Sequence, residues 1–139
     1  MVAVDINLAA VRCTAINAML NGVEHRLDVR HGDLFAPVAG ERFDLILFNP
    51  PFLRGVPRDD RERAWRSHDV AERFAAGVRE HLKPSGSALV VLSSFGGAAV
   101  FLEEFRKHGL AISVLAERRF ITERLAIFKL AMPRQRSAA

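Results

Sequence analysis

The 139 residues predict an α/β fold built on a doubly wound, mostly parallel sheet. Strand-like and helix-like segments alternate from the first residue, as they do in successive strand–helix–strand units. The segments at 43–48 and 88–92 are near-continuous apolar runs, the pattern of strands covered on both faces. Sheets of this kind bind ligands outside the carboxyl ends of their strands. Candidate chemistry is therefore sought at the strand ends.

The elements follow in order. Val2 to Ile6 is a short β-rich run, and Asn7 is a good N-cap for what comes next. Leu8, Val11, Ala15, Ile16, Met19 and Leu20 recur at three- and four-residue spacing, which predicts the apolar face of a helix ending at Asn21-Gly22. Cys13 lies on that helix among apolar residues and is expected in the core. Leu27 to His31 alternates as a weaker strand and closes at Gly32-Asp33. Phe43 to Phe48 is predicted to be a strand buried on both faces, stopped by Asn49-Pro50-Pro51. The polar stretch from Leu53 to about Arg66 reads as a loop leading into a helix whose core face is Val70, Ala71, Phe74, Val78 and Leu82. Lys83 to Gly86 is expected to end that helix before a strand at Ala88 to Leu92. Gly96-Gly97 opens a helix with Val100, Phe101, Leu102 and Phe105 inward and Gly109 as its stop. Two β-like runs, Ala111 to Leu115 and Leu125 to Leu130, precede a polar, basic tail. The expected organisation is one domain over 1–132 and a tail over 133–139.

Composition excludes several function classes. Half of the residues are apolar, 26% are charged, and mean hydropathy is +0.09, as in globular proteins. The longest apolar runs fall far short of a membrane span, and Asp5 interrupts any signal-like start. A single cysteine cannot form an internal disulfide, which fits a cytoplasmic location. The five histidines show no ligand spacing, so no metal is expected. Net charge is +4, and most of it is interleaved with acids, as on a mixed, solvated surface. If an electrostatic footprint for an acidic partner such as RNA exists, it lies where Arg54, Arg58, Arg61, Arg63 and Arg66 gather. Ser93 and Ser94 end a strand without the surroundings of a nucleophile elbow. Trp65 suits either core packing or a substrate-facing position.

Three strand ends carry polar residues that a core does not need. Asp5 suits either helix capping or acceptance of hydrogen bonds from ribose hydroxyls. Asp33, in Gly32-Asp33-Leu34-Phe35, suits either an Asp-turn or acceptance from a purine amine. Asn49-Pro50-Pro51-Phe52 is more specific. An Asn before Pro is held extended, which stops the strand and aims its side chain out of the end. The Asn49 side-chain oxygen and the Pro50 carbonyl are then two fixed acceptors beside the Phe52 ring. They suit a planar NH2 group, either a carboxamide or an exocyclic base amine.

Asn49-Pro50-Pro51-Phe52 after such a strand resembles motif IV of class I S-adenosylmethionine-dependent N-methyltransferases. With Val4-Asp5-Ile6-Asn7, Ala15-Ile16-Asn17-Ala18, Gly32-Asp33-Leu34-Phe35 and the terminal Glu123 to Leu130, it is similar to release-factor glutamine methyltransferases and their small-domain relatives. The resemblance spans nearly the whole chain. It implies a Rossmann-like sheet with an antiparallel strand near the C-terminus, and S-adenosyl-L-methionine as cofactor. It implies that Asp5 with Ile6 binds the ribose, that Asp33 with Leu34 binds the adenine, and that Asn49 and Pro50 hold the target nitrogen under a stacked Phe52. A protein glutamine, such as one in a release factor, is the implied acceptor, and a base amine of RNA or DNA is the alternative.

The sequence departs from the family at two places, one of them the compact stretch from Leu53 to Arg66, which lacks the longer insert of bacterial release-factor methyltransferases. The Gly-x-Gly loop after the family's first strand does not occur, and Met1 aligns with the family's second strand. The expectation is a partial methyltransferase domain, lacking the first strand, its glycine loop and the first helix. That strand is central in the family's order, so two apolar sheet edges are expected to be exposed. A non-catalytic fragment that binds or dimerises through those edges is the reading from a different class.

Overall fold

Val2–Asp5 (β1) and Asp28–His31 (β2) form a parallel pair with Val2 opposite Asp28 and Asp5 opposite His31. The helix Leu8–Leu20 (α1) is the crossover between them, as parallel strands require. Its start is fixed locally, because the Asn7 side chain accepts the Ala9 N–H at 2.9 Å. A computed structural model of the chain describes residues 1–51 and 69–133. Within it the chain divides into Met1–Ala39, which holds this pair, and Gly40–Ala139.

The second unit carries a four-stranded sheet in the order β3-β4-β6-β5. Its strands are Phe43–Phe48 (β3), Leu82–Ser93 (β4), Ala111–Arg119 (β5) and Arg124–Ala131 (β6). β3 and β4 are parallel, with Phe48 opposite Val90. β6 is antiparallel to both of its neighbours, as the family resemblance implies. The helices Val70–His81 (α2) and Ala98–Lys107 (α3) bury one apolar stripe each. Phe74, Ala75, Val78, Phe101 and Phe105 from those stripes are buried. So are Ala88, Val90, Leu92, Ala126 and Leu130 from the sheet. Three aromatic rings organise this core. Phe48 stacks on Phe74 with centroids 4.1 Å apart, and Phe105 meets Phe74 edge-on at 6.2 Å.

Four expectations change. β3 is not buried on both faces: Leu45 is 51% exposed and Leu47 70%. Among the described residues only β4 pairs with β3. The apolar face of α1 is also largely outside, with Leu8, Ile16, Met19 and Leu20 exposed and only Ala18 of the helix buried. Cys13 is exposed rather than in the core. Finally, β4 begins at Leu82, directly after α2, so Pro84 and Gly86 lie inside a strand rather than in a loop. Exposed apolar residues on β3 agree with the expectation of an open apolar sheet edge. Among the described residues no helix is long and apolar enough to cross a membrane.

Candidate active site

The nucleoside candidates stand together in the first unit. Asp5 and His31 are opposite one another at the carboxyl ends of β1 and β2. The Gly32 N–H donates to the Asp5 carbonyl at 3.0 Å, so Gly32-Asp33 turns beside Asp5. His31 Nε2 and the Ile6 carbonyl are 3.0 Å apart, which ties the same two strand ends together a second time. A glycine is needed at position 32 because a Cβ there would overlap the Pro37 ring. Two residues later, Leu34 has a φ of +47°, in the left-handed region that costs a non-glycine residue about 1 kcal/mol or more. Local strain of this kind is held by surrounding structure and concentrates at ligand sites.

Asp5 does not itself cap α1, a role that Asn7 fills. Its Oδ1 accepts the Asn7 N–H at 2.7 Å, and Asn7 in turn caps α1. That bond does not exhaust the group, since a carboxylate offers about four lone-pair positions and Asp5 is exposed. The Asp33 carbonyl accepts the Ala36 N–H at 3.0 Å, which is the turn reading of that residue, and its side chain is half-buried. Two carboxylates at adjacent strand ends, one with acceptor capacity to spare, fit the ribose and adenine of a nucleoside cofactor. The other end of such a cofactor has no glycine cradle in this sequence.

The acceptor candidates lie in the second unit. Phe48, the last residue of β3, is pinned by its stack on Phe74. Asn49 follows it exposed, and Pro50 is buried. Among the described residues no hydrogen bond engages the Asn49 carboxamide. The exposed Asn49 side chain at the end of β3 is thus available to a ligand. Phe52, Trp65 and the five arginines from Arg54 to Arg66 lie outside the described residues, so the stacking ring and the possible basic footprint are expectations only.

Sequence reasoning missed one arrangement at this edge. Ser93 ends β4 and is buried; its hydroxyl donates to Glu123 Oε1 at 2.5 Å and accepts the Phe95 N–H at 3.0 Å. Ser94 exchanges bonds with Arg124: its N–H donates to the Arg124 carbonyl at 2.9 Å, and its Oγ accepts the Arg124 N–H at 3.0 Å. The signal was in the sequence as two serines at a strand end opposite a Glu-Arg pair, but only the pairing register joins them. Nearby, Arg119 and Arg124 share Glu117, at 2.9 and 3.5 Å. The Arg119 hydrogen bond first, then the Arg124 charge, hold the Glu117 carboxyl below its usual range. Among the described residues no cluster of metal-ligating side chains occurs.

The fold is that of class I methyltransferases. A T. thermophilus 16S rRNA methyltransferase solved with AdoMet and guanosine superposes with a TM-score of 0.65 at 23% identity, over 94% of this chain and 31% of that one. More particularly, the chain belongs to the Methyltransferase small domain family, whose profile matches residues 1–118. The family's members are S-adenosylmethionine-dependent methyltransferases. A release factor glutamine methyltransferase from Cereibacter sphaeroides is 35% identical over 112 residues, covering 71% of this chain and 40% of the relative. A ribosomal RNA small subunit methyltransferase C from Hahella chejuensis is 38% identical over 91 residues, covering 66% and 23%. The chain therefore spans less than half the length of either relative.

Proposed function

We propose that this chain carries the acceptor-binding part of an S-adenosylmethionine-dependent N-methyltransferase that acts on a planar amide nitrogen, a glutamine of a protein such as a release factor. The observation that carries the reading is the Asn49-Pro50 pair, held at the end of β3 by the Phe48–Phe74 stack, with the Asn49 carboxamide exposed. The glutamine methyltransferase relative supports a protein acceptor.

An amide nitrogen is a poor nucleophile, because its lone pair is delocalised into the carbonyl. Asn49 Oδ1 and the Pro50 carbonyl would each accept one of its N–H groups, fixing the plane of the amide and drawing electron density onto nitrogen. The same two dipoles stabilise the positive charge that grows on nitrogen as it is alkylated. Neither group is a base, so the chain's contribution is positioning and electrostatics, and the surplus proton leaves to water. Asp5 with Ile6, and Asp33 with Leu34, would hold the ribose and adenine of the cofactor, which when bound supplies an electrophilic methyl group. Phe52 is assigned to stacking on the acceptor plane.

The test uses the Asn49→Ala variant. Methyl transfer to a glutamine-containing protein acceptor should fall at least about 100-fold, as when one preorganised donor or acceptor is deleted from an active site. Calorimetric affinity for S-adenosylmethionine should stay within about twofold. Near-normal kcat in the variant would refute the role of Asn49. Absence of any binding heat for S-adenosylmethionine on the parent chain would instead favour a non-catalytic fragment. Methylation of an RNA oligonucleotide but of no protein would move the acceptor to a base amine, the reading that the ribosomal RNA relative supports.

A further inference from the structure

We propose that the last two side chains of β2 position the two halves of the nucleoside site separately. His31 fastens the Asp5-Ile6 segment that takes the ribose, and Arg30 fastens the Asp33-Leu34 loop that takes the adenine. The proposal rests on the assignment of those two segments to the cofactor given above.

Successive side chains of a strand leave opposite faces, so Arg30 and His31 reach different neighbours. The β1–β2 ladder ends at the pair of Asp5 and His31, and Ile6 lies beyond it. His31 Nε2 reaches past the ladder to the Ile6 carbonyl at 3.0 Å, across 25 residues of sequence. A carbonyl oxygen only accepts, so Nε2 carries the proton, and the bond exists in the neutral and in the protonated ring. Ile6 sits between Asp5 and Asn7, whose N–H donates to Asp5 Oδ1 at 2.7 Å. A tie at Ile6 therefore fixes the backbone from which the Asp5 carboxylate is aimed, without occupying the carboxylate. His31 is exposed, so removing its ring forfeits this hydrogen bond and little buried area.

The adenine half is fastened from the other face. Arg30 Nη1 donates to the Pro37 carbonyl at 2.8 Å, while its Nε and Nη2 both donate to Asp28 Oδ2, at 2.9 and 2.7 Å. Bonds on both sides of the planar guanidinium fix its orientation. Pro37 belongs to the short turn Ala36–Val38, which the Ala36 N–H ties back to the Asp33 carbonyl. That loop carries Leu34 at a φ of +47°, a conformation that persists only where surrounding structure holds it. The Pro37 ring also lies against Gly32, so a carbonyl fixed at Pro37 restrains both ends of the loop. Arg30 and His31 are positioning residues on this account. Each acts through a backbone carbonyl, and neither is assigned a contact with the cofactor.

NMR titrations of the full chain with adenosine, 2′-deoxyadenosine and inosine test this. Deoxyadenosine lacks a ribose hydroxyl for Asp5, and inosine lacks the amine for Asp33. The parent should therefore bind each at least about tenfold more weakly than adenosine. His31→Leu should reduce the ribose preference to about twofold and leave the base preference intact, and Arg30→Met should do the reverse. His31→Gln, whose amide can donate to the Ile6 carbonyl, should restore the ribose preference. A residue that merely stabilises the β1–β2 pair would lower both preferences together. Both preferences falling together in one variant, both persisting, or no rescue by His31→Gln would each overturn the proposal. A parent chain with neither preference would instead remove the nucleoside assignment, and amide exchange then decides the two fastenings. The Asn7 amide should exchange at least about fivefold faster in His31→Leu alone, and the Ala36 amide in Arg30→Met alone. Unchanged rates would overturn them.

Discussion

Truncating Phe74 is expected to cost about 3–5 kcal/mol, the usual range for Phe→Ala in a packed core. The ring is 2% exposed and bridges two elements. It stacks on Phe48 of β3 at 4.1 Å with an interplanar angle of 11°, and Phe105 of α3 meets it at 64°. Phe74→Ala therefore leaves a cavity bounded by two aromatic rings that have lost their partner. With a urea dependence of about 2 kcal/mol per molar, a loss of about 4 kcal/mol lowers the unfolding midpoint by about 2 M. Phe74→Leu refills most of the volume and forfeits mainly the ring–ring terms, so it should cost only about 1–1.5 kcal/mol. Urea unfolding followed by circular dichroism gives both values. Amide exchange at Val90 and Leu130, which have no exposed surface, assigns them to the second unit. A loss below about 1.5 kcal/mol in Phe74→Ala, or equal losses in the two variants, would refute the reasoning. The second variant has a further use. Phe48 immediately precedes Asn49, so relaxing its stack without unfolding the sheet should weaken methyl transfer more than cofactor binding.

Two further outcomes come from single contacts. Lys83 Nζ donates to Asp44 Oδ2 at 2.7 Å, and that bond holds the Asp44 carboxyl below its usual value. Lys83→Met should raise it, as read by an NMR titration. Because the folded-state value is the depressed one, the pair stabilises the fold above the ordinary carboxylate range. That contribution fades as pH falls through the folded value, so the stabilities of parent and variant should converge in acid. Gly97→Ala and Gly32→Ala separate two reasons for glycine. Gly97 has a φ of +69°, and a methyl added there meets nothing within 4 Å, so alanine should cost about 1 kcal/mol of backbone strain alone. At Gly32 the added methyl overlaps the Pro37 ring, and a larger loss of about 1–3 kcal/mol is expected from the clash. Thermal or chemical unfolding of both variants checks the ranking, and equal losses would contradict the steric account.

Element types were legible because they depend on local pattern. The 3.6-residue stripes of α2 and α3, the apolar runs of β3 and β4, and Asn7 as a cap all return in the structure. Exposure was not legible, because it depends on which neighbour arrives. Cys13 and Leu47 sit in sequence contexts that normally imply burial, yet each is exposed. The boundary at Leu82 was missed for a related reason. Pro84 reads as a breaker, but a parallel strand tolerates it where no ladder bond is needed from its nitrogen, and the register between Phe43 and Leu45 shifts at that point. At the candidate site, the Asn-Pro constraint marked the end of β3, whereas the Ser93–Glu123 bond joins residues 30 apart in sequence and needed the register of β4 on β6.

Pattern and exposure together separate two kinds of exposed apolar residue. Leu45 and Leu47 repeat every second position on a strand, and Leu8, Ile16 and Met19 follow helical spacing on α1. That periodicity belongs to surfaces shaped to lie under another layer of secondary structure. Phe95, Phe120 and Ile121 have no such period. They stand on turns, where a second layer of helix or strand has no face to pack on, and hydrogen bonds rather than apolar neighbours hold their backbone in place. The two groups thus differ in what places them: the periodic residues lie on faces of regular elements, and the turn residues on connections tied down by hydrogen bonds such as Phe95 N–H to Ser93 Oγ and Phe120 N–H to the Glu123 carbonyl.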